Sequence, residues 1–296
     1  MRDYLSLIRF SHTIFAMPFA LLGFVLGLVR IAEQKERPIT DMLDGPLLWQ
    51  VLLPVVGCMI FARSAAMAFN RYTDRHFDAL NERTAQREIP AGKIHARHAF
   101  LFTVISSLLF VATTWLLNPL CFGLSFVALF IILIYSYTKQ FTALCHIVLG
   151  LGLSIAPIGA YLAVTASFHW LPIIYAGVVL AWVSGFDIVY ALQDEEFDKG
   201  HQLHSIPARL GKPTAIRIAQ VLHLLAAVLV VVIGRLDNRG WLFWTGAVVF
   251  ISMLVWQHRL VKPNDLRKIN LAFMTTNGIA SVVFCILVIL DLLNIF

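Results

Sequence analysis

Nine times along this chain an apolar run close to twenty residues long is closed by polar or charged residues, and that recurrence constrains the fold more than anything else in the sequence. About twenty apolar residues in a helix cross the hydrocarbon of a bilayer, where every backbone polar group must find its partner within the chain. The runs fall at about 13–29, 47–69, 98–117, 120–137, 144–165, 171–192, 214–234, 241–257 and 270–294. With 59% hydrophobic and 14% charged residues among 296, the expected fold is an all-α integral membrane protein of nine transmembrane helices in the lipid bilayer. The first run reads as a span rather than a cleavable signal: Met17-Pro18 lies inside a stretch that continues to Val29, and no small-residue cleavage site follows. No linker or low-complexity tract interrupts the chain, so one transmembrane domain over 1–296 is expected.

With a cytoplasmic N-terminus, 17 of the 23 Lys and Arg residues fall on the inside, 5 fall outside and Arg63 lies within a span. The net charge of +6 is thereby accounted for by topology and an anionic leaflet. It does not indicate nucleic acid, because no basic stripe interleaved with stacking aromatics sits on a soluble domain. Cys58, Cys121, Cys145 and Cys285 stand singly within spans and imply neither a disulfide frame nor a zinc site. The ten histidines make no HxxH or HxxxH pair within a span, and His12, His76, His146 and His201 read as interfacial polar residues.

"FNRYTDRHFD" closes the second run with Asn70, Asp74 and Asp78 at intervals of four, and Arg63 lies on the same helical face. "DEEFD" sets Asp194 and Asp198 four apart at the end of the sixth run, with Asp187 seven residues earlier. Acids at i and i+4 repel one another where water is scarce, so each pair calls for a cation. Mg2+ suits the role, since it takes few carboxylates and keeps positions open for phosphate oxygens. Two facing carboxylate stripes are expected to hold two such ions with a diphosphate between them. The echo extends further: Ile89-Pro90-Ala91-Gly92-Lys93 follows the first set, while Ile206-Pro207-Ala208 and Gly211-Lys212 follow the second.

"YSYTK" places Tyr135 and Lys139 one turn apart at the end of the fourth run, and Arg83 and Arg87 lie in the polar loop after Asp78. Arginine forks bind phosphate or carboxylate oxygens two at a time. Arg63, inside a span, is expected to face a polar cavity or an acid. The many Phe residues include candidates to face a transient carbocation.

Nine spans with NxxxDxxxD, YxxxK, DxxxD and "NERTAQREIPAG" in this order resemble the UbiA superfamily of intramembrane aromatic prenyltransferases over nearly the whole chain. The resemblance implies nine helices around a central cavity, Mg2+ as cofactor and a polyprenyl diphosphate donor. It implies that Asn70, Asp74 and Asp78 hold one ion, that Asp194 and Asp198 hold the other, and that Lys139 and the loop arginines grip the diphosphate. Many relatives carry a further Asp where this chain has Arg71, which lies about 100° off the stripe of Asn70 and Asp74.

The expected chemistry is ionisation of the allylic C–O bond, attack by an electron-rich ring, and loss of the ring proton to Asp194 or Asp187. A membrane cavity keeps water from the cation. The resemblance points to quinone biosynthesis in a bacterial-type inner membrane, with motif loops in the cytoplasm and no obligate protein partner. The acceptor is expected to be a small aromatic acid, first 4-hydroxybenzoate and second 1,4-dihydroxy-6-naphthoate, its carboxylate held by Arg63 or Arg9. Prenylation of haem, of a chlorophyll-like ring or of a phospholipid lies within the same fold. A cation-coupled transporter is the reading from another class, disfavoured because the acids sit at helix ends rather than at mid-span beside broken helices.

Overall fold

The computed structural model describes residues 2–7, 15–43 and 46–293. Its helices are α1 (Arg2–Leu7), α2 (Met17–Gln34), α3 (Ile39–Leu43), α4 (Pro46–Thr73), α5 (Arg75–Leu80), α6 (Ala96–Trp115) and α7 (Pro119–Thr138). There follow α8 (Cys145–Thr165), α9 (Trp170–Ala191), α10 (Glu195–Gly200), α11 (Ile206–Leu236), α12 (Trp241–Leu260) and α13 (Asn277–Leu292). Among the described residues, nine helical stretches are long and apolar enough to cross a membrane, as expected from the apolar runs. The stretch after Ala191 passes through a 3-10 turn at Leu192–Asp194 into α10, and α13 is entered through a π-helical turn at Leu271–Thr276.

The helix ends carry local signals. Asn118 caps α7 by accepting from the Cys121 N–H at 2.9 Å, with Pro119 in the first turn, and its amide donates to the Leu162 carbonyl at 2.9 Å. Ser205 caps α11 in the same way, accepting from Ala208 at 3.3 Å. The two long loops hold more helix than their polarity suggests. Polar sequence ends a membrane span, but at the interface it does not end a helix. α4 runs on to Thr73, α5 and α10 form beyond the apolar limits, and α11 begins at Ile206.

Gly92 and Gly211 adopt φ of 72° and 77°, in the left-handed region that favours glycine. They occupy matching places in the two "IPA…GK" segments, so the echo in sequence is also an echo in backbone. Gly211 breaks α11 one turn after its start, before Pro213.

Helices in lipid gain nothing from excluding water from one another, so close packing through small residues carries their association. A Cβ added at Gly23 of α2 would lie 2.1 Å from the Pro157 carbonyl oxygen of α8, and one at Gly150 of α8 would lie 2.6 Å from the Leu180 carbonyl oxygen of α9. These crossings bring α2, α8 and α9 together. The largest apolar core joins them to α11, α12 and α13 through Phe19, Tyr175, Trp182, Phe243, Phe250 and Phe284. The Trp182 indole N–H donates to Asn277 Oδ1 at 2.9 Å, and the Asn277 amide donates to the Ala272 and Phe273 carbonyls that the π turn displaces.

Candidate active site

Each acidic set sits where a membrane helix gives way to a short one. α4 closes at Thr73, Asp74 stands at the junction, and Asp78 lies in α5; Asp194 ends the 3-10 turn and Asp198 lies in α10. The sequence reading of one unbroken stripe is therefore corrected to a helix with a hitch. Register survives it, because the Asp74 N–H bonds the Asn70 carbonyl at 2.9 Å and the Asp78 N–H bonds the Asp74 carbonyl at 2.8 Å.

The expected diphosphate-binding cations are found on the acids. Arg83 makes a fork to Asp194, with Nε to Oδ1 at 3.0 Å and Nη2 to Oδ2 at 2.6 Å. Arg87 donates to Asp78 Oδ1 at 2.6 Å, and Lys139 Nζ lies 2.7 Å from Asp198 Oδ1. Asp198, whose side chain is wholly buried, also accepts from Ser205 Oγ at 2.7 Å. Burial opposes the charge on Lys139, but Asp198, Asp194 and Asp74 together hold its pKa above the ordinary lysine value. Burial likewise opposes Arg83, and its bonds to Asp194 outweigh that. The Asp74 carboxyl is pushed up to about 6, first by burial and then by the charge of Asp78, against the pull of Lys139, Arg87 and Arg71.

These couplings place both acidic sets and their cations in one cluster. Tyr135 belongs to it, within electrostatic reach of Asp187, Asp74 and Arg87. Asn70 turns its amide N–H to Asp74 Oδ2 at 3.0 Å, which leaves its amide oxygen as a donor for a cation. Arg71 is buried and lies 4.0 Å from Glu88, away from the stripe, while Arg63 is half-buried about 10 Å along α4 from Asn70. Lys199 pairs with Glu195 at 2.6 Å and Arg75 lies over the Tyr72 ring at 4.5 Å, so neither neutralises the motif acids. Arg9 lies outside the described residues, as does His12.

Four participants join the site beyond the residues expected there. The Asn81 amide donates to Asp194 Oδ1 at 3.3 Å, Ser205 orients Asp198, and Tyr190 meets Arg83 through its hydroxyl at 3.5 Å. The Tyr190 ring in turn lies tilted against Phe273, centroids 4.2 Å apart, which ties the site to the aromatic core. The fourth is His146, expected to be interfacial and found buried, with Nδ1 2.7 Å from Asp187 Oδ2. Ser205 had a readable signal, a capping residue before Ile206-Pro207; His146 had none.

The donor set fits a hard divalent cation. It is built of carboxylate and amide oxygens, and the buried Asp78 Oδ2 has no hydrogen-bond partner. Among the described residues no three acidic, His or Cys side chains converge as a ready ligand cage, and Arg83, Arg87 and Lys139 are paired with the acids. An apolar groove of about 390 Å3 runs between α4, α6 and α7 past Phe69, Thr103, Ser107 and Phe126.

Residues 42–279 match the UbiA prenyltransferase family. The 4-hydroxybenzoate octaprenyltransferase of Aeromonas hydrophila is 31% identical over 250 residues, covering 83% of this chain and 85% of the relative. That of Aeromonas salmonicida is 32% identical over 248 residues, covering 82% and 84%. Among solved structures, the apo UbiA homologue from Aeropyrum pernix K1 superposes with a TM-score of 0.76 at 26% identity, covering 94% of this chain and 95% of that one. The UbiA homologue from Archaeoglobus fulgidus bound to DMAPP and Mg2+ has the same fold, with a TM-score of 0.73 at 20% identity over 99% of this chain and 100% of that one.

Proposed function

The chain belongs to the UbiA prenyltransferase family, and from that premise we propose that it transfers a polyprenyl chain from its diphosphate to 4-hydroxybenzoate, in the route to ubiquinone. The observation that carries the reading is the pairing at the site. Three buried acids from two separate motifs are each matched to one base within 3 Å, so three positive groups stand ready where an anionic donor needs them. The names of the 31% and 32% identical relatives support the acceptor.

Asn70, Asp74 and Asp78 would hold one Mg2+, and Asp194 and Asp198 a second. A same-fold homologue that binds Mg2+ and DMAPP supports that cofactor. When bound, Mg2+ supplies positive charge that offsets the departing diphosphate. The residues of the chain do the rest. Arg83 and Arg87 present planar forks to phosphate oxygens, and Lys139 reaches both acidic sets. Tyr135, within electrostatic reach of this cluster, would border the donor. Arg71, buried 4.0 Å from Glu88, would add positive charge behind the first acidic set. The groove beside Phe69 offers apolar surface to the isoprenoid tail. Arg63, about 10 Å deeper than Asn70, stands where the carboxylate of the aromatic acid would reach past the reacting ring. The packed aromatic core of Trp182, Phe186 and Phe273 keeps water from the allylic cation.

This is a multi-pass membrane protein, and we place its motif loops in the cytoplasm, on the basic side. Purified protein given a labelled polyprenyl diphosphate, Mg2+, and equal 4-hydroxybenzoate and 1,4-dihydroxy-6-naphthoate should label the single-ring acid preferentially. Preference for the bicyclic acid reverses the acceptor, and no labelled product with any aromatic acid rejects the reading.

A further inference from the structure

Asp194 and Asp187 are the two candidates for the ring proton, and the geometry around Asp187 separates them. Asp78, Asp194 and Asp198 are all held by Arg or Lys, as befits groups committed to cations. Asp187 is not. Its Oδ2 lies 2.7 Å from His146 Nδ1, and Oδ1 makes no hydrogen bond among the described residues. The His146 side chain is sealed, 4% exposed, while that of Asp187 is 19% exposed, so the carboxylate presents an open edge. Asp187 lies seven residues before Asp194, about 10 Å deeper along α9, the same offset by which Arg63 precedes Asn70. Tyr135 lies within electrostatic reach of both Asp187 and Asp74 of the first acidic set.

The imidazole is fixed from its other side. The Ile206 N–H, in the first turn of α11, lies 3.4 Å from His146 Nε2, which holds the ring with Nδ1 turned to Asp187. Ile206 follows Ser205, which orients Asp198, and the neighbouring His204 N–H donates to the Lys139 carbonyl at 2.7 Å. One corner of the chain, residues 204–206, therefore sets Asp198, Lys139 and, through His146, Asp187.

We propose that Asp187 is the base that takes the ring proton and that His146 is its positioning residue; the assignment rests on the prenyl-transfer reading above. The allylic C–O bond breaks with its electron pair passing to diphosphate, and the ring carbon forms the new C–C bond. The proton on that carbon then moves to Asp187 Oδ1 while its bonding pair restores the aromatic sextet. The carboxylate is better suited than Asp194, whose two oxygens are both taken by Arg83.

The test separates ionisation from proton loss in the full-length protein. Asp187→Asn should lower kcat by about a hundredfold or more, with KM for both substrates nearly unchanged. Ring-deuterated 4-hydroxybenzoate should then show a primary isotope effect on kcat that the unsubstituted protein lacks. Exchange of 18O between bridging and non-bridging diphosphate positions should persist, proving that the variant is folded and still ionises its donor. His146→Asn keeps an N–H near the Nδ1 position and should retain more activity than His146→Ala. Undiminished transfer by Asp187→Asn overturns the assignment. Loss of 18O exchange along with transfer in Asp187→Asn, His146→Ala and His146→Asn alike also overturns it, by placing the pair in donor binding or in the fold. Failure of the parent protein to transfer at all would instead reject the underlying function.

Discussion

Lys139 Nζ lies 2.7 Å from Asp198 Oδ1 and within electrostatic reach of Asp194 and Asp74, so a single ammonium stands between the two acidic sets. Without divalent cations it stabilises a carboxylate that is wholly buried. Leaving a buried charge unpaired costs ~3–5 kcal/mol, and partial exposure of the lysine reduces that to about 2 kcal/mol here. Lys139→Met should therefore lower the unfolding temperature in detergent under chelation, and Mg2+ with diphosphate should restore part of it. An equal loss in both conditions would show that Lys139 does not stand in for a metal.

Asp74 carries a pH dependence with a definite sign. Its carboxyl titrates near 6, raised by burial and by Asp78, so a proton competes with a divalent cation there below that pH. Mg2+ titrations of activity should show the apparent affinity falling by up to about tenfold per unit as pH drops below 6, and levelling off above it. For the metal-free fold the sign is opposite: a pKa raised from 3.8 to about 6 contributes stability below pH 4 that is lost as pH rises through 6. Asp74→Asn should remove both dependences. Persistence of the Mg2+ dependence in that variant would assign it to another acid.

The orientation is open to chemical labelling. Single cysteines at Glu82 and Gln202, in an otherwise cysteine-free background, should resist an impermeant thiol reagent in intact cells and react once the membrane is opened. Labelling of either from outside would reverse the topology, because the two acidic sets share one cluster.

Packing of α2 on α8 leaves no room for a methyl group. A Cβ at Gly23 would lie 2.1 Å from the Pro157 carbonyl oxygen, whereas one at Gly123 of α7 meets nothing within 4 Å. Gly23→Ala should cost ~1–3 kcal/mol of stability, and Gly123→Ala should be close to neutral. Thermal unfolding in detergent compares them directly, and equal melting would mean that α2 shifts freely on α8.

What the sequence determined by itself was whatever is local in its physics. Apolar length sets the spans, because a bilayer demands about twenty residues per crossing. Intervals of four put Asn70 with Asp74, and Asp194 with Asp198, on common faces, because the helix repeats every 3.6 residues. The echo of the two "IPA…GK" segments was legible too, and the structure adds that the glycine of each takes positive φ. Partner choice was decided only by tertiary structure. Arg83 meets Asp194 across 111 residues, and His146 meets Asp187 across 41, because packed helices bring separate interfaces together and no periodicity encodes which ends coincide. Burial then forces each buried charge to take the opposite charge or donor within reach. The arginines read as diphosphate ligands are therefore found on the acids, and His146, which carries no signal in the chain, is found holding Asp187.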